Sequence, residues 1–471
     1  MVRRIAAAAL GIALLALCYQ AAFAADPPKK YEGPQRITRM DGKVHEGTVE
    51  VDPSGDKFVI RPTKFPDMTI TLKKREILKI EAIANAPAAN KPDAAKDRPS
   101  AEDEPKLEAG SYLLTDEQIA EILRGIEIDP AALGETGDPE ASLPVNEESV
   151  GEMMRIAGAG AEAKRLETDH FVFVYTSGMP LAKKLAATLE GVYRWNVWLL
   201  KQTNMPYQQP EYKLEVYFFG KHEEYARYQN LLGQEDSVGV LGFYRPDMNR
   251  SAFFDMDTWP PVKQRREQAD NPSTPPNERR RIKNLLKKWF DWKNLEVVQH
   301  EAAHHIHFNV GVFAREVFTR NPGALPRWTV EGLATMFELP PTTDLGAALG
   351  AINHQRVKEF REFFGKDGSR LPPMRDFVLD DMIFLRGGGT FYPLGWAMTQ
   401  YLWNKKREEY ARWLRALSEI NDRETWDRTE RQALFEDIFG EMNDEWVKKF
   451  VEYIDTITLQ NSKLPVDLDQ I

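Results

Sequence analysis

The stretch Val297-Val298-Gln299-His300-Glu301-Ala302-Ala303-His304 decides how this chain is read. Its core is H-E-x-x-H. On a helix, residues four apart lie on one face, so the imidazoles of His300 and His304 can reach a single ion. Glu301 sits beside them, within reach of a water held by that ion. Zinc lowers the pKa of such a water towards ~7, and a neighbouring carboxylate can take its proton. The flanking residues are apolar and helical in pattern, as a buried active-site helix requires. Histidine is otherwise scarce: of the eight in the chain, four fall between positions 300 and 307.

A hydrolytic zinc site needs three protein ligands and one open position. The third candidate is Glu331, in Trp328-Thr329-Val330-Glu331-Gly332-Leu333-Ala334-Thr335. Pro322, Gly323 and Pro326 let the chain reverse, and the small Gly332 and Ala334 allow this second helix to lie close to the first. The competing reading makes Glu331 a carboxylate at a helix N-terminus, favoured by the dipole; the ligand reading is preferred for the company Glu331 keeps. A third histidine six residues after His304 is excluded, since Val310 stands there. His307 on the same straight helix would strain tetrahedral geometry and is read as packing or as an outer neighbour of the site, and His305 points elsewhere. Glu338 is expected as another outer neighbour or a surface group.

His300-Glu301-x-x-His304 followed by Trp328-x-x-Glu331-Gly332-x-Ala334 resembles the gluzincin zinc peptidases. More narrowly, it is similar to the bacterial family described as domain of unknown function 1570, a peptidase-like group. The likeness runs from Thr168-Asp169-His170-Phe171 through Gly242-Phe243-Tyr244 to Tyr392-x-x-x-Trp396-Ala397. It implies a gluzincin-like catalytic domain, peptidase activity, and a tyrosine near the metal that stabilises the developing oxyanion. Tyr392, after the run Gly387-Gly388-Gly389, is the residue in that place; the alternative is an aromatic staple that packs the start of the following helix. The resemblance also implies an edge strand beside the active-site helix that pairs with an extended substrate. Ser251–Met256 is the expected strand. Substrate identity does not carry over.

Outward from the site, the chain divides. Arg3 and Arg4, an apolar run from Ile5 to Cys18 and the small-x-small site Ala22-Phe23-Ala24 read as a secretory signal peptide over 1–24. This implies export to the periplasm, cell surface or medium, without stable membrane insertion. Cys18 is the only cysteine, so a transition metal must be held by His, Asp or Glu. Residues 30–84 carry five β-rich runs with turn signals at Asp41-Gly42 and Ser54-Gly55, which suggests an SH3-like β-barrel whose ligand the sequence does not name. Residues 85–165 read as a linker with short helices, one from Thr115 to Ile126 and one near Glu147–Ala157; the part from 85 to 110 is too poor in large apolar residues to fold. From 166 to 460 the pattern is strands first, at His170–Tyr175, Leu214–Phe219, Val238–Phe243 and Ser251–Met256. Helices come next, after a Pro-rich charged insertion over 257–293. This order implies an α+β domain with helices packed on an antiparallel or mixed sheet.

The formal charge of −10 lacks the basic footprint of a general nucleic-acid binder. The expectation is therefore an exported zinc-dependent metallopeptidase acting on a protein or peptide substrate, with Glu301 as general base, Tyr392 as second catalytic group and His300, His304 and Glu331 as metal ligands. Two alternatives stand beside it: an inactive cell-envelope binding protein with a structural zinc site, and a zinc hydrolase of a non-peptide bond. The division itself is testable, because mobile polar segments are nicked first. Limited proteolysis of the full chain should cut first between 85 and 110, and fragments beginning inside 170–300 would show the boundary to be misplaced.

Overall fold

In the computed structural model the described residues are 35–39, 44–51, 57–62, 70–73, 77–82, 137–234, 239–339, 350–420, 427–460 and 464. The expected signal peptide, the segment 85–110 and the helix at Thr115–Ile126 lie outside them. The chain divides into two compact units, one built on Met1–Asp97 and the other on most of Arg98–Ile471.

In the N-terminal unit the strands are β1 (Gln35–Arg39), β2 (Val44–Val51), β3 (Lys57–Pro62), β4 (Ile70–Lys73) and β5 (Ile77–Ala82). Alternation places Ile37, Val49, Phe58, Ile60, Leu72 and Ile77 in a small buried cluster, the period-two pattern of a half-buried sheet. All pairings are antiparallel in the order β4-β3-β2-β1-β5. The number of strands agrees with the sequence reading, but the expected barrel is not closed. Closure would need β4 to pair with β5, and among the described residues each of these edge strands has a neighbour on one side only.

The larger unit begins with α1 (Glu147–Gly158), then β6 (Lys164–Glu167), β7 (Phe171–Tyr175), α2 (Met179–Thr203), β8 (Leu214–Phe219), α3 (His222–Leu231), β9 (Gly242–Arg245) and β10 (Arg250–Phe254). The sheet order is β6-β7-β8-β10-β9. β7–β8 and β8–β10 are parallel, whereas β6–β7 and β10–β9 are antiparallel, so the sheet is mixed. Every residue of Phe171-Val172-Phe173-Val174-Tyr175 is buried, as expected of a parallel strand covered on both faces. A charged intrusion is matched across the sheet: Arg250 stands opposite Glu215 in register and donates to it over 2.7 Å. The same guanidinium reaches Ser149 and Glu152 on α1, and Val150, Met153 and Ala157 of α1 enter the main core.

Two strand positions differ from expectation. The third strand lies at Gly242–Arg245, and the fourth, Arg250–Phe254, is interior, so the edge on that side of the sheet is β9. The turn between them hinges on Asn249 at φ 52°, a left-handed conformation that asparagine tolerates better than most residues.

The remaining helices are α4 (Pro260–Asp270), α5 (Pro276–Asn294), α6 (His300–His307), α7 (Arg315–Arg320), α8 (Arg327–Thr335), α9 (His354–Phe364), α10 (Met374–Leu379), α11 (Asp381–Gly387), α12 (Tyr392–Lys405), α13 (Arg407–Ser418), α14 (Arg428–Phe439) and α15 (Asp444–Thr456). The Pro-rich, charged segment 257–293 consists mainly of two helices, α4 and α5. Pro260, Pro261 and Pro276 fall at helix starts, where a missing N–H costs little, and Ile282, Leu286, Trp289 and Phe290 form the buried stripe of α5.

His170 anchors the start of β7 to α2. Its Nδ1 lies 2.7 Å from Glu190, its Nε2 lies 2.9 Å from the Pro139 carbonyl, and its backbone N–H donates to the other Glu190 oxygen. The ring stacks on Tyr193 at 3.8 Å. Burial alone would raise the Glu190 pKa, but the hydrogen bonds and field of His170 more than offset it and hold the carboxylate below its ordinary range. A depressed carboxylate pKa gives stability that is present above the unfolded value of about 4.3 and is lost as the pH falls through the folded value. Removing one partner of a buried pair leaves the other uncompensated, so Glu190→Ala should lower the unfolding free energy by about 3–5 kcal/mol in denaturant titrations at neutral pH. Breaking the exposed Arg412–Asp437 pair should cost at most about 1 kcal/mol. Equal effects would contradict the assignment.

Candidate metal centre

The ligand helix is the end of a longer rod. After α5, residues Leu295–Gln299 form one π-turn, and α6 continues directly from it. A π-turn adds a residue to the helical repeat and so rotates the next helical segment by roughly 100° relative to the preceding face. Gln299 then ties the rod to the segment after α8, its Nε2 donating to the carbonyls of Phe337 and Leu339 at 2.9 and 3.1 Å.

α8 brings Glu331 to the two histidines. Its Oε2 lies 3.3 Å from His300 Nε2 and 3.1 Å from His304 Nε2, and the two Nε2 atoms are 3.1 Å apart. Donor atoms at bonds of about 2.0–2.1 Å and tetrahedral angles would stand about 3.3 Å from one another. All three residues are buried, and their ligand atoms lie within 4.8 Å of each other; the trio can hold a metal ion. Two imidazoles and a carboxylate suit zinc among several divalent metals.

The second oxygen of Glu331 accepts from Arg327 Nη1 at 3.1 Å, one helical turn earlier. Burial alone would raise the Glu331 pKa, but His304, His300 and Arg327 hold it well below the usual range. Burial alone would lower that of His300, but hydrogen bonds to Glu331 and Glu338 reverse this and raise it to about 10. A bound cation would take the place of that proton, so binding should release protons.

Gly332 does not serve the approach to α6. A Cβ there would meet Thr399 Oγ1 at 2.5 Å and the Gly395 carbonyl at 2.6 Å, so its smallness lets α8 lie against α12. That helix begins at Tyr392, whose ring centre is 5.7 Å from that of His300. Tyr392 also packs edge-on against Phe384 at 5.3 Å, so it neighbours the site and staples the start of the helix at once. The field of Glu331, with burial second, pushes its hydroxyl well above the ordinary value and keeps it a proton donor.

Glu301 is held by β9: the Tyr244 backbone N–H donates to its Oε2 at 3.0 Å. Burial raises its pKa, opposed by the two imidazoles. The neighbouring histidines are structural. Ser251 Oγ lies 2.9 Å from His305 Nδ1, and the His305 ring stacks on Tyr244 at 4.7 Å. His307 packs edge-on between Phe313 and Phe337.

Glu338 is fully buried, not a surface group. Its Oε1 lies 3.0 Å from His300 Nδ1. Arg356 donates to both its oxygens, at 2.9 and 2.7 Å, and Asn353 Nδ2 donates at 3.2 Å. Sequence reasoning overlooked Asn353, Arg356, Gln299, Arg327 and the Tyr244 amide. Two of them carry a local signal: Asn353 as the N-cap of α9, accepting from the Arg356 backbone N–H, and Arg327 by its i,i+4 spacing to Glu331.

Residues 294–422 match the model of the family described as Protein of unknown function (DUF1570). That segment contains all three candidate ligands, Glu301 and Tyr392. No curated protein and no solved structure matches the chain.

If the trio is the ligand set, His304→Ala and Glu331→Ala should each abolish stoichiometric uptake of zinc in competition with a chromophoric chelator, while the fold persists. Full uptake by Glu331→Ala would remove it from the set and return it to the helix-dipole reading.

Proposed function

We propose that the chain is an exported zinc-dependent metallopeptidase that hydrolyses peptide bonds of a protein or peptide substrate, with Glu301 as general base. The observation that carries this reading is the convergence of His300, His304 and Glu331 donor atoms at mutual distances of 3.1–3.3 Å, with the half-buried Glu301 on the next helical position after His300. A zinc ion there would supply Lewis acidity, polarising the scissile carbonyl and acidifying a water.

The chain's own groups would do the rest. Glu301 takes a proton from the attacking water and returns it to the departing amine, and the N–H of Tyr244 fixes the carboxylate for that transfer. Its raised pKa makes it a better proton acceptor than an exposed glutamate. Tyr392, protonated and beside His300, donates to the developing oxyanion. A purely structural metal site has no need of a base, so a carboxylate at Glu301, beside the two imidazoles, favours hydrolysis over the binding-protein alternative. Export rests on the signal-like residues 1–24; among the described residues no helix is long and apolar enough to cross a membrane.

The test is cleavage of an unbiased peptide library by the mature chain loaded with zinc. Glu301→Gln should keep its metal and lose roughly 10²–10⁴-fold in turnover. Tyr392→Phe should keep its metal and lose roughly 10²–10³-fold in kcat. A zinc-loaded wild type that cleaves nothing, or a Glu301→Gln variant as active as wild type, would overturn the peptidase reading.

A further inference from the structure

The two histidines are not held alike. His304 Nδ1 has no hydrogen-bond partner among the described residues, whereas His300 Nδ1 faces a buried carboxylate that is itself clamped. Arg356 makes the clamp. Its Nε and Nη2 engage the two oxygens of Glu338 in a fork at 2.9 and 2.7 Å. Its Nη1 donates to Glu359 at 2.9 Å, and its Nη2 lies 3.5 Å from Glu296 on the π-turn that leads into the ligand helix. The guanidinium carbon lies 5.9 Å over the ring of Tyr392. One buried cation thus touches the carboxylate behind His300, the turn that sets the rotation of the ligand helix, and the aromatic ring beside the site.

We propose that Arg356 is a positioning residue for the metal centre: its forked grip on Glu338 fixes the ring of His300 with Nδ1–H outward and Nε2 free for the metal, and its reach to Glu296 holds the ligand helix in phase. This rests on the reading of His300, His304 and Glu331 as metal ligands. The geometry requires a fork. A guanidinium presents parallel N–H groups that match both carboxylate oxygens, whereas a lysine offers a point charge to one of them. Without Arg356, Glu338 would lose the two forked donors that fix its carboxylate and would be free to turn away from His300. Partners behind metal-bound histidines commonly affect metal affinity as strongly as this, by roughly 10–100-fold. His304, with no such partner, makes the site depend the more on His300.

The experiment uses the full mature chain and three variants, Arg356→Met, Arg356→Lys and Glu338→Gln, each checked for folding by circular dichroism. Zinc affinity is measured by chelator competition, and the ligand field is read from the visible absorption of the cobalt(II)-substituted protein. Arg356→Met and Glu338→Gln should each weaken zinc binding roughly 10–100-fold and shift the cobalt bands. Arg356→Lys should recover only part of the affinity. Glu338→Gln removes one charge without changing shape, so it serves if Arg356→Met does not fold. Folded variants with wild-type affinity and an unchanged cobalt spectrum would show that the cluster only stabilises the fold, and would overturn the proposal. A wild type that takes up no zinc or cobalt would instead remove the ligand set on which the proposal stands.

Discussion

One carboxylate oxygen, Glu331 Oε2, lies against the Nε2 atoms of both His300 and His304, and the arrangement of the larger unit makes sense around that meeting. A buried carboxylate beside two buried imidazoles is costly unless each atom is matched. The matching is thorough on the Glu331 side, where Arg327 takes the second oxygen and the Asp381 carboxylate accepts from the Arg327 backbone N–H. Asp381 is in turn gripped by Arg431. On the His300 side, Glu338, Arg356 and Asn353 complete the chain. The helices α8, α9, α11 and α14 are thereby tied by polar contacts as well as by the apolar core, which holds the candidate ligand atoms in place.

This arrangement also explains why so much charge lies inside. Glu296, Glu338, Glu359 and Arg356 share one region, and burial alone would raise the Glu296 pKa, yet Lys293 and Arg356 pull it down to about 2. Well-packed apolar side chains would stabilise such a region as well or better. Retention of ions there is understandable if they orient a ligand, since an apolar replacement could not face His300 Nδ1.

Periodicity and motif spacing made most strands legible in the sequence, and pointed to the three buried residues His300, His304 and Glu331 that the fold brings together and that could hold a metal ion. Phe171–Tyr175 is a continuous β-branched and aromatic run, Leu214–Phe219 is one broken only by Glu215 after its leading leucine, and Met179–Thr203 has a helical period. The errors have physical causes. The five N-terminal runs specify strands, but closure into a barrel depends on whether the outer pair meets, which alternation does not encode. The positions of β9 and β10 in the sheet depend on a parallel crossover, and local pattern is blind to that. The segment 257–293 is charged and carries prolines, which masked the apolar stripe of Ile282, Leu286, Trp289 and Phe290 at helical spacing. Arg356 was invisible because nothing local marks an arginine as buried; only the fold brings it to Glu338, 18 residues earlier. Gly332 was recognised as a contact residue, but the partner it serves is α12 and not α6.

The central claim is that His300, His304 and Glu331 together form one ligand set. X-ray absorption at the zinc edge of the purified protein tests it most directly. The predicted result is about one zinc per chain, a four-coordinate shell of nitrogen and oxygen at about 2.0–2.2 Å, multiple scattering from two imidazoles, and no sulfur. A shell with one imidazole or three, a six-coordinate oxygen shell, or the absence of bound zinc would contradict it.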